Sequence, residues 1–308
     1  MNKLAIALAA FFLSTAVFAG GGGSSSKPLE GSHPIVLSHG LFGWGDSDSN
    51  GIINIVDYWG NNIDYLQSQG AVVYAPTKSA TNSNEARGQQ LKDKINYFLA
   101  AGGHSKVHII GHSQGGLDSR YMVANLGMSS KVSTLTTLNS VHLGSPVADI
   151  VETVLPNWIE PFVSDIVGAL VGIVYGGGSE QDAIAAMNSL TTSGMAAFNT
   201  YTPNASATKY YSYGSYITIN DPIQHWSMFL IHPACVAGAL FKGMDLRCDG
   251  LVTLDSQKWG TWKGGPSTPW YTTGVDHLQA CNALSTGSPW YDVEGYFLKM
   301  AKNAKNNQ

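Results

Sequence analysis

The feature that most restricts the fold is a short pattern of strand, sharp turn and helix in the first half of the chain. Residues 106–110 contain Val107, Ile109 and Ile110 and are predicted to form a strand. Gly-His-Ser-Gln-Gly follows at positions 111–115, and a helical pattern then extends to residue 124. Glycines on both sides of a serine suit a strained turn, because residues without a Cβ fit there. The pattern predicts that the Ser113 hydroxyl stands at a helix N-terminus, where the backbone dipole favours negative charge.

Other segments continue this alternation of strand and helix. Apolar or β-branched runs predict strands at residues 34–38, 71–74, 106–110, 132–138 and 209–213. Helical spacing predicts helices at residues 56–69, 82–99, 114–124 and 291–304. Such alternation predicts an α/β fold with a mostly parallel sheet covered by helices on both faces.

Residues 151–201 interrupt this alternation with helix-like patterns and no clear strand, which predicts an inserted helical cap at about residues 150–201. The whole chain has 308 residues and is 44% hydrophobic, enough for one large core. We therefore predict a single catalytic domain over residues 31–308.

The N-terminus has the composition of a secretion signal. Met1-Asn2-Lys3 is followed by an apolar run from Leu4 to Phe12 and by Val17-Phe18-Ala19. We predict a signal peptide over residues 1–19, a flexible Gly/Ser-rich spacer over residues 20–30, and export through the periplasm to the extracellular medium. A buried N-terminal helix is the alternative.

Charge and hydropathy exclude two classes of partner. The net charge is −4 and only 12% of the residues are charged, so no basic surface for nucleic acid is expected. After the signal, the longest apolar segment is residues 166–175, shorter than the roughly 18 residues that a membrane span needs. We expect no transmembrane segment in the mature protein.

A loop upstream of the serine complements it. Ser38-His39-Gly40-Leu41-Phe42-Gly43 follows the first predicted strand directly. In acyl transfer, negative charge develops on the substrate carbonyl oxygen, and two backbone N–H groups can stabilise it. We predict that Leu41 and Gln114 supply these N–H groups and form the oxyanion hole. A plain loop at the end of a strand is the alternative.

With these two motifs, the chain resembles the bacterial true lipases of the Pseudomonas and Burkholderia group. The resemblance is carried by separated stretches in the family's order, namely residues 39–43, 57–59, 83–88, 111–121, 196–199, 249–252 and 277–278. It implies an α/β-hydrolase fold with a helical lid or cap insertion. It also implies a secreted carboxylic ester hydrolase acting on a lipid or other ester at an interface, first of all triacylglycerol. A dedicated foldase chaperone for secretion is implied as a partner.

A serine nucleophile needs a general base and an acid that orients it, in the chain order Ser, Asp, His. The turn at residues 111–115 is here called the elbow. Three of the nine histidines, His225, His232 and His277, lie well beyond the elbow and the predicted cap. Of these, only His277 also follows a good candidate acid. Asp249 and His277 lie in stretches that match the family's motifs. Two further carboxylates, Asp255 and Asp276, compete as the acid.

We favour Asp249 as the acid. Asp255 is expected at the surface, and Asp276 adjoins the histidine in sequence, which gives poor hydrogen-bond geometry. The predicted catalytic residues are therefore Ser113, Asp249 and His277. Two other histidines are given structural roles: His39 is expected to brace the oxyanion loop, and His112 to be a structural or substrate-lining residue.

The uncharged segment at residues 166–175 fits either a core helix or a lid. The resemblance favours the lid, because the corresponding segment of the family covers the site and opens at an oil surface.

Two alternative functions stay open. A hydrolase of short-chain esters or polyesters would use the same chemistry, and a non-catalytic secreted binding protein is an alternative of another class. No redox or nucleotide cofactor is expected.

The family also commonly holds a structural calcium ion near the catalytic histidine. Asp221 matches one carboxylate ligand of that site. Where the family has Asp and Gln two and six residues after the histidine, this chain has Gln279 and Ala283. Because the loss of a carboxylate weakens a site for a hard cation, calcium is left open.

The three cysteines, Cys235, Cys248 and Cys281, predict one disulfide and one remaining thiol in an exported chain. A bridge from Cys235 to Cys248 closes the shorter loop and is slightly favoured. A bridge from Cys248 to Cys281 would instead staple the loops of the predicted acid and base.

Overall fold

The computed structural model describes residues 27–45, 58–154 and 182–308. Within them a single sheet of six parallel strands has the order β2-β1-β3-β4-β5-β6. The strands are β1 (Ile35–Ser38), β2 (Val73–Tyr74), β3 (Val107–His112), β4 (Val132–Leu138), β5 (Lys209–Tyr213) and β6 (Thr261–Trp262). The predicted parallel α/β sheet is confirmed.

The described helices connect these strands or cover the sheet. They are α1 (Asn62–Ser68), α2 (Asn84–Gly102), α3 (Gln114–Asn125), α4 (Pro146–Val154), α5 (Ala183–Leu190), α6 (Thr192–Tyr201), α7 (His232–Lys242) and α8 (Val293–Lys305). Two short 3-10 turns lie at Gln279–Cys281 and Ala283–Ser285. No described helix is both long and apolar enough to cross a bilayer.

Both faces of the sheet are buried. Successive side chains of each strand point to opposite faces, so neighbouring residues pack in different core layers. Ile35 and Leu37 of β1 pack in the core layer that contains residues of α1 and α8. Val36, between them, packs with residues of α2 and α3 in the other layer. Each fully buried aliphatic side chain contributes about 1.5–3 kcal/mol to folding. The near-continuous apolar composition of these strands follows from this two-sided burial.

Several predicted boundaries differ from those observed. The helix predicted to stop before Gly102 includes that residue, and Gly103 ends it in the left-handed conformation with φ of 65°. The strand predicted to end at residue 110 continues through His112. Helix α7 and strand β6 were not predicted. Strand β6 has only two residues, too few for a periodic pattern.

Parts of the chain that carry predictions lie outside the described residues. They include the predicted signal peptide at residues 1–19, most of the predicted spacer at 20–30, and the predicted lid segment at 166–175. Within the predicted cap, the described residues form all of α5 and α6 and most of α4. The predicted cap boundaries and the lid stay predictions.

Candidate active site

Ser113 occupies the single position between strand β3 and helix α3. Its backbone has φ of 55° and ψ of −129°, a strained conformation for a residue with a side chain. The chain can bend here because Gly115 passes close to β1: a Cβ at that position would lie 2.0 Å from the carbonyl oxygen of Ser38. The elbow therefore holds the Ser113 side chain at the N-terminus of α3.

Three distant residues form one chain of hydrogen bonds at the carboxyl end of the sheet. The Oγ atom of Ser113 lies 2.9 Å from Nε2 of His277. On the other side of the ring, Nδ1 of His277 lies 2.8 Å from Oδ2 of Asp249. The structure thus brings together the predicted nucleophile, base and acid. With a proton on Nδ1, Nε2 of His277 is free to accept the Ser113 proton.

The carboxylate of Asp249 is buried and surrounded by donors. Its Oδ1 accepts the backbone N–H groups of Leu251 and Val252, at 3.0 and 2.8 Å. Its Oδ2 accepts the side-chain amides of Asn139 and Gln257, at 2.8 and 3.2 Å, besides the imidazole. Donors of this kind satisfy both oxygens of the buried carboxylate and fix its orientation.

The loop after β1 lies directly beside the serine. A Cβ on Gly40 would lie only 2.7 Å from the Cβ of Ser113. The N–H of Phe42 is bonded to the carbonyl oxygen of Ala80, at 2.8 Å. Within the described residues, the N–H groups of Leu41 and Gln114 have no acceptor. These two donors are the pair that the sequence predicts for the oxyanion hole.

A buried cluster of charges clamps this loop. The guanidinium of Arg87 donates to the carbonyl oxygens of His39 and Gly40, at 2.8 and 3.0 Å. The ammonium of Lys78 donates to the same oxygen of His39, at 2.9 Å. Both cations also bind Oδ2 of Asp118, at 2.8 Å from Lys78 and 2.9 Å from Arg87, with side chains fully buried. Burial lowers the pKa of Lys78 to about 7.

His39 and His112 are both structural in this arrangement. Nε2 of His39 accepts the backbone N–H of Lys78, and its Nδ1 lies 2.9 Å from the carbonyl oxygen of Gly40. Nδ1 of His112 lies 2.7 Å from the hydroxyl of Tyr58, and its Nε2 lies 2.9 Å from the carbonyl oxygen of His277. Burial is the main cause that lowers the pKa of each ring well below 6.5, which favours the neutral form of both.

The competing carboxylates occupy other places. Asp255 is exposed and forms an ion pair with Lys258 at 2.8 Å, as expected for a surface residue. Asp276 is buried but faces a different histidine: its Oδ2 lies 3.1 Å from Nδ1 of His225. Neither carboxylate lies against His277 in the way that Asp249 does.

Asp221, the residue that matches a calcium ligand of the family, caps its own turn with one carboxylate oxygen. Oδ1 of Asp221 accepts the backbone N–H groups of Ile223 and Gln224, at 2.9 and 2.8 Å. No cluster of three or more His, Cys, Asp or Glu residues suited to a metal ion occurs in the described part of the chain. Calcium, which needs six to eight oxygen ligands, is a poor match for these residues.

All three cysteines are buried free thiols in the structure. Cys235 of α7 and Cys248, next to the predicted acid, share a small buried core cluster. Cys281 lies in the large core layer of α1 and α8 instead. The predicted disulfide is therefore not formed, but the packing favours the Cys235 and Cys248 pairing over the staple to Cys281.

Comparison with known proteins identifies the family of the chain. A family model of the alpha/beta hydrolase fold matches residues 33–173. The chain is 35% identical to a triacylglycerol lipase of Vibrio cholerae over 278 residues, which cover 84% of this chain and 86% of that protein. The chain belongs to the bacterial α/β-hydrolase lipases. It is a serine ester hydrolase of the lipase type.

One further relative and one solved structure are also similar to this chain. The lipase is 38% identical to a triacylglycerol lipase of Burkholderia plantarii over 56% of its own chain, but this match spans only 49% of that protein. A crystal structure of the Staphylococcus hyicus lipase superposes with a TM-score of 0.64 at 18% identity, covering 89% of this chain and 95% of that one. The latter likeness supports the fold alone.

Sequence reasoning missed several residues of the lipase site. Asn139 and Gln257, which hold the Asp249 carboxylate, belong to no motif that the sequence singled out. Asn139 directly follows β4, and the end of a parallel strand next to the elbow is a position where a polar residue indicates a site. Lys78 lies in no motif, and Asp118, although it lies in the matched stretch 111–121, was given no role, because burial of a charge is not visible in a sequence.

Proposed function

We propose that the protein hydrolyses carboxylic esters through an acyl-enzyme, with Ser113 as nucleophile, His277 as general base and Asp249 as orienting acid. The observation that carries the proposal is the continuous hydrogen-bonded chain from the Ser113 hydroxyl through His277 to Asp249. An acceptor at 2.9 Å lies within the reach that proton transfer requires.

In the first half-reaction, Oγ of Ser113 attacks the ester carbonyl carbon while Nε2 of His277 takes the hydroxyl proton. The carbonyl oxygen becomes an oxyanion, which accepts hydrogen bonds from the N–H groups of Leu41 and Gln114 in this proposal. Loss of one such donor typically costs about 10²–10³ in kcat. Collapse of the intermediate breaks the ester C–O bond, and His277 returns the proton to the departing alcohol.

In the second half-reaction, His277 removes a proton from water, and the resulting hydroxide attacks the acyl carbon. Collapse of the second intermediate releases the carboxylic acid and returns the proton to Ser113. Asp249 keeps Nδ1 of His277 protonated and stabilises the imidazolium that forms in each step. No metal or cofactor takes part in this sequence of bonds and protons.

Triacylglycerol is the substrate that we propose first, because relatives covering most of this chain carry the name triacylglycerol lipase. Short-chain esters and polyesters react by the same chemistry. A series of p-nitrophenyl esters from acetyl to long acyl chains, followed by emulsified triacylglycerol, would rank them. Faster hydrolysis of the emulsion than of dissolved short-chain esters is expected of a lipase.

Export completes the proposal. The charged, apolar and small-residue regions of residues 1–19 support a secreted protein. A helper foldase, a lid at residues 166–175 and a Cys235 to Cys248 disulfide in the exported protein are part of the same proposal. N-terminal sequencing of the protein recovered from the culture medium is expected to begin at residue 20.

Replacement of the nucleophile gives the most direct test. We expect Ser113→Ala to lower the hydrolysis of p-nitrophenyl esters by at least about 10⁴-fold, because no other group forms the acyl-enzyme. The matched control is Asp255→Asn, which changes an exposed carboxylate and is expected to keep wild-type kcat. Undiminished turnover in Ser113→Ala would refute the nucleophile. An inactive wild-type protein across the ester series would favour the non-catalytic binding protein.

A further inference from the structure

The loop that carries His277, here called the histidine loop (residues 273–279), is tied to the turn at residues 221–225 by buried side chains. Nδ1 of His225 lies 3.1 Å from Oδ2 of Asp276, and its Nε2 lies 3.0 Å from the carbonyl oxygen of Thr273. Both neighbouring oxygens are hydrogen-bond acceptors, and each faces one nitrogen of the ring. The His225 ring thus spans the histidine loop from one end to the residue before His277.

Asp276 fixes the local shape of the histidine loop. Its Oδ1 accepts the backbone N–H groups of Leu278 and Gln279, at 3.0 and 2.8 Å. Its Oδ2 is the atom that contacts His225. A carboxylate that caps the two N–H groups after His277 orients the backbone of the base itself.

Gln279 adds the second tie, and both ends of its side-chain amide are used. Oε1 accepts the backbone N–H of Asp276 at 3.0 Å, and Nε2 donates to the carbonyl oxygen of Gln224. The amide needs a donor and an acceptor in fixed places, and it finds both across the two loops. A carboxylate at this position could not donate to Gln224.

The same residues disagree with a calcium site. Asp221 uses Oδ1 to cap its own turn, position 279 is an amide with both ends occupied, and position 283 is alanine, which has no ligand atom. A cation held mainly by one carboxylate would lack most of the oxygen ligands that calcium takes. The connection between the two loops is already made by hydrogen bonds.

We propose that His225, Asp276 and Gln279 are positioning residues that hold the catalytic histidine in place without a metal ion. The inference rests on the proposed role of His277 as base. It has two consequences: turnover depends on the amide of Gln279, and neither stability nor turnover depends on calcium.

The amide is tested by Gln279→Met, which keeps the length of the side chain and removes both hydrogen bonds. Displacement of a catalytic group by about 1 Å can cost up to 10²-fold in rate, so we expect kcat to fall by about tenfold with KM within about twofold. The matched control is His108→Gln, a buried histidine of β3 that contacts Thr134 and Gln308 instead. The control is expected to lose stability with kcat retained.

An unchanged kcat in Gln279→Met would overturn the positioning role, and so would an equal fall in the control. If Gln279→Met does not fold, Asp276→Asn tests the same tie by weakening the bond to His225, with the same split between kcat and KM expected. These outcomes differ from failure of the proposed function, in which Ser113→Ala retains turnover.

Calcium is tested on the wild-type protein without relying on activity. After treatment with a chelator, the thermal midpoint is expected to be the same with and without about 1 mM CaCl2, a concentration that fills weak extracellular sites. Titration calorimetry with CaCl2 is expected to show no saturable heat. A saturable heat together with a rise of the midpoint would overturn the metal-free arrangement, because a ligand bound only by the folded state raises its stability.

Discussion

The two halves of the active site are held by different forces. The nucleophile half, Ser113 and the loop of Leu41, lies on junctions of β1, β3 and α3 and is clamped by the buried charges of Lys78, Arg87 and Asp118. The histidine half, Asp249 and the histidine loop, lies in irregular segments between α7 and α8. It is held by amide donors, backbone caps and the buried His225 and Asp276 pair.

This difference predicts different failures. Buried ion pairs are costly to break, since removal of one partner leaves an uncompensated charge in the interior. Hydrogen bonds between loops contribute less each, but they set the position of a reacting atom. Removal of a charge from the buried clamp should therefore mainly lower the free energy of unfolding, whereas loss of a hydrogen bond in the histidine half should mainly slow a folded enzyme.

The largest effect is expected from Asp118→Asn, which leaves Lys78 and Arg87 buried beside a neutral amide. Removing one partner of a buried ion pair typically costs about 3–5 kcal/mol. In a domain of this size that corresponds to a fall of roughly 10 °C in the thermal midpoint. The measurement is thermal unfolding, with Asp255→Asn as the control at the surface, expected within about 0.5 kcal/mol of wild type.

A small loss of stability in Asp118→Asn would contradict the comparison, because the clamp would then be dispensable. Retained stability with a large loss of kcat in Asp118→Asn would also contradict the comparison. The nucleophile half would then show the loss of turnover that is expected of the histidine half.

The second largest effect is a gain in stability from a disulfide between Cys235 and Cys248. Cys248 directly precedes Asp249 of the histidine half. The neighbouring Cys248 thiol and burial raise the pKa of the Cys235 thiol, so we expect slow thiol exchange in the folded protein. During refolding with glutathione disulfide, we expect the two thiols to lose two protons and two electrons and form one S–S bond, while two glutathione thiols are released. Closing a loop of this length stabilises by about 3 kcal/mol.

Thermal unfolding of protein refolded in oxidised and in reduced glutathione measures this effect. Peptide mapping without reductant is expected to recover a linked fragment containing Cys235 and Cys248. The control is Cys281→Ser, which should keep the difference between the two preparations. A fragment linked through Cys281 would show instead that the loops of Asp249 and His277 are stapled together.

The same division explains how much the sequence could predict. The elbow at Ser113 and the strands around it follow from local periodicity and from glycines at close approaches, both visible in the sequence. His277 and Asp249 were found by chain order and by motif, with no expectation of the loops that carry them. Their partners Asn139 and Gln257 come from separate segments, and only the tertiary fold brings these amides to one carboxylate.

The smallest loss of stability is expected from removing the hydroxyl of Tyr58, which links the two halves of the site. Tyr58 accepts the N–H of Gly40 at 2.8 Å and donates to His112, whose other nitrogen donates to the carbonyl oxygen of His277. Tyr58→Phe leaves the N–H of Gly40 and a ring nitrogen of His112 without this partner, at a cost of about 1–2 kcal/mol.

Because the link runs from the proposed oxyanion loop to the proposed base, Tyr58→Phe should slow turnover as well as lower the thermal midpoint. We expect kcat to fall by about tenfold with KM nearly unchanged. Tyr210→Phe is the matched control, since that hydroxyl also accepts a backbone N–H, from Ala205, but lies in β5 away from the serine. A loss of stability with full kcat in Tyr58→Phe would mean that the two halves are positioned independently of each other.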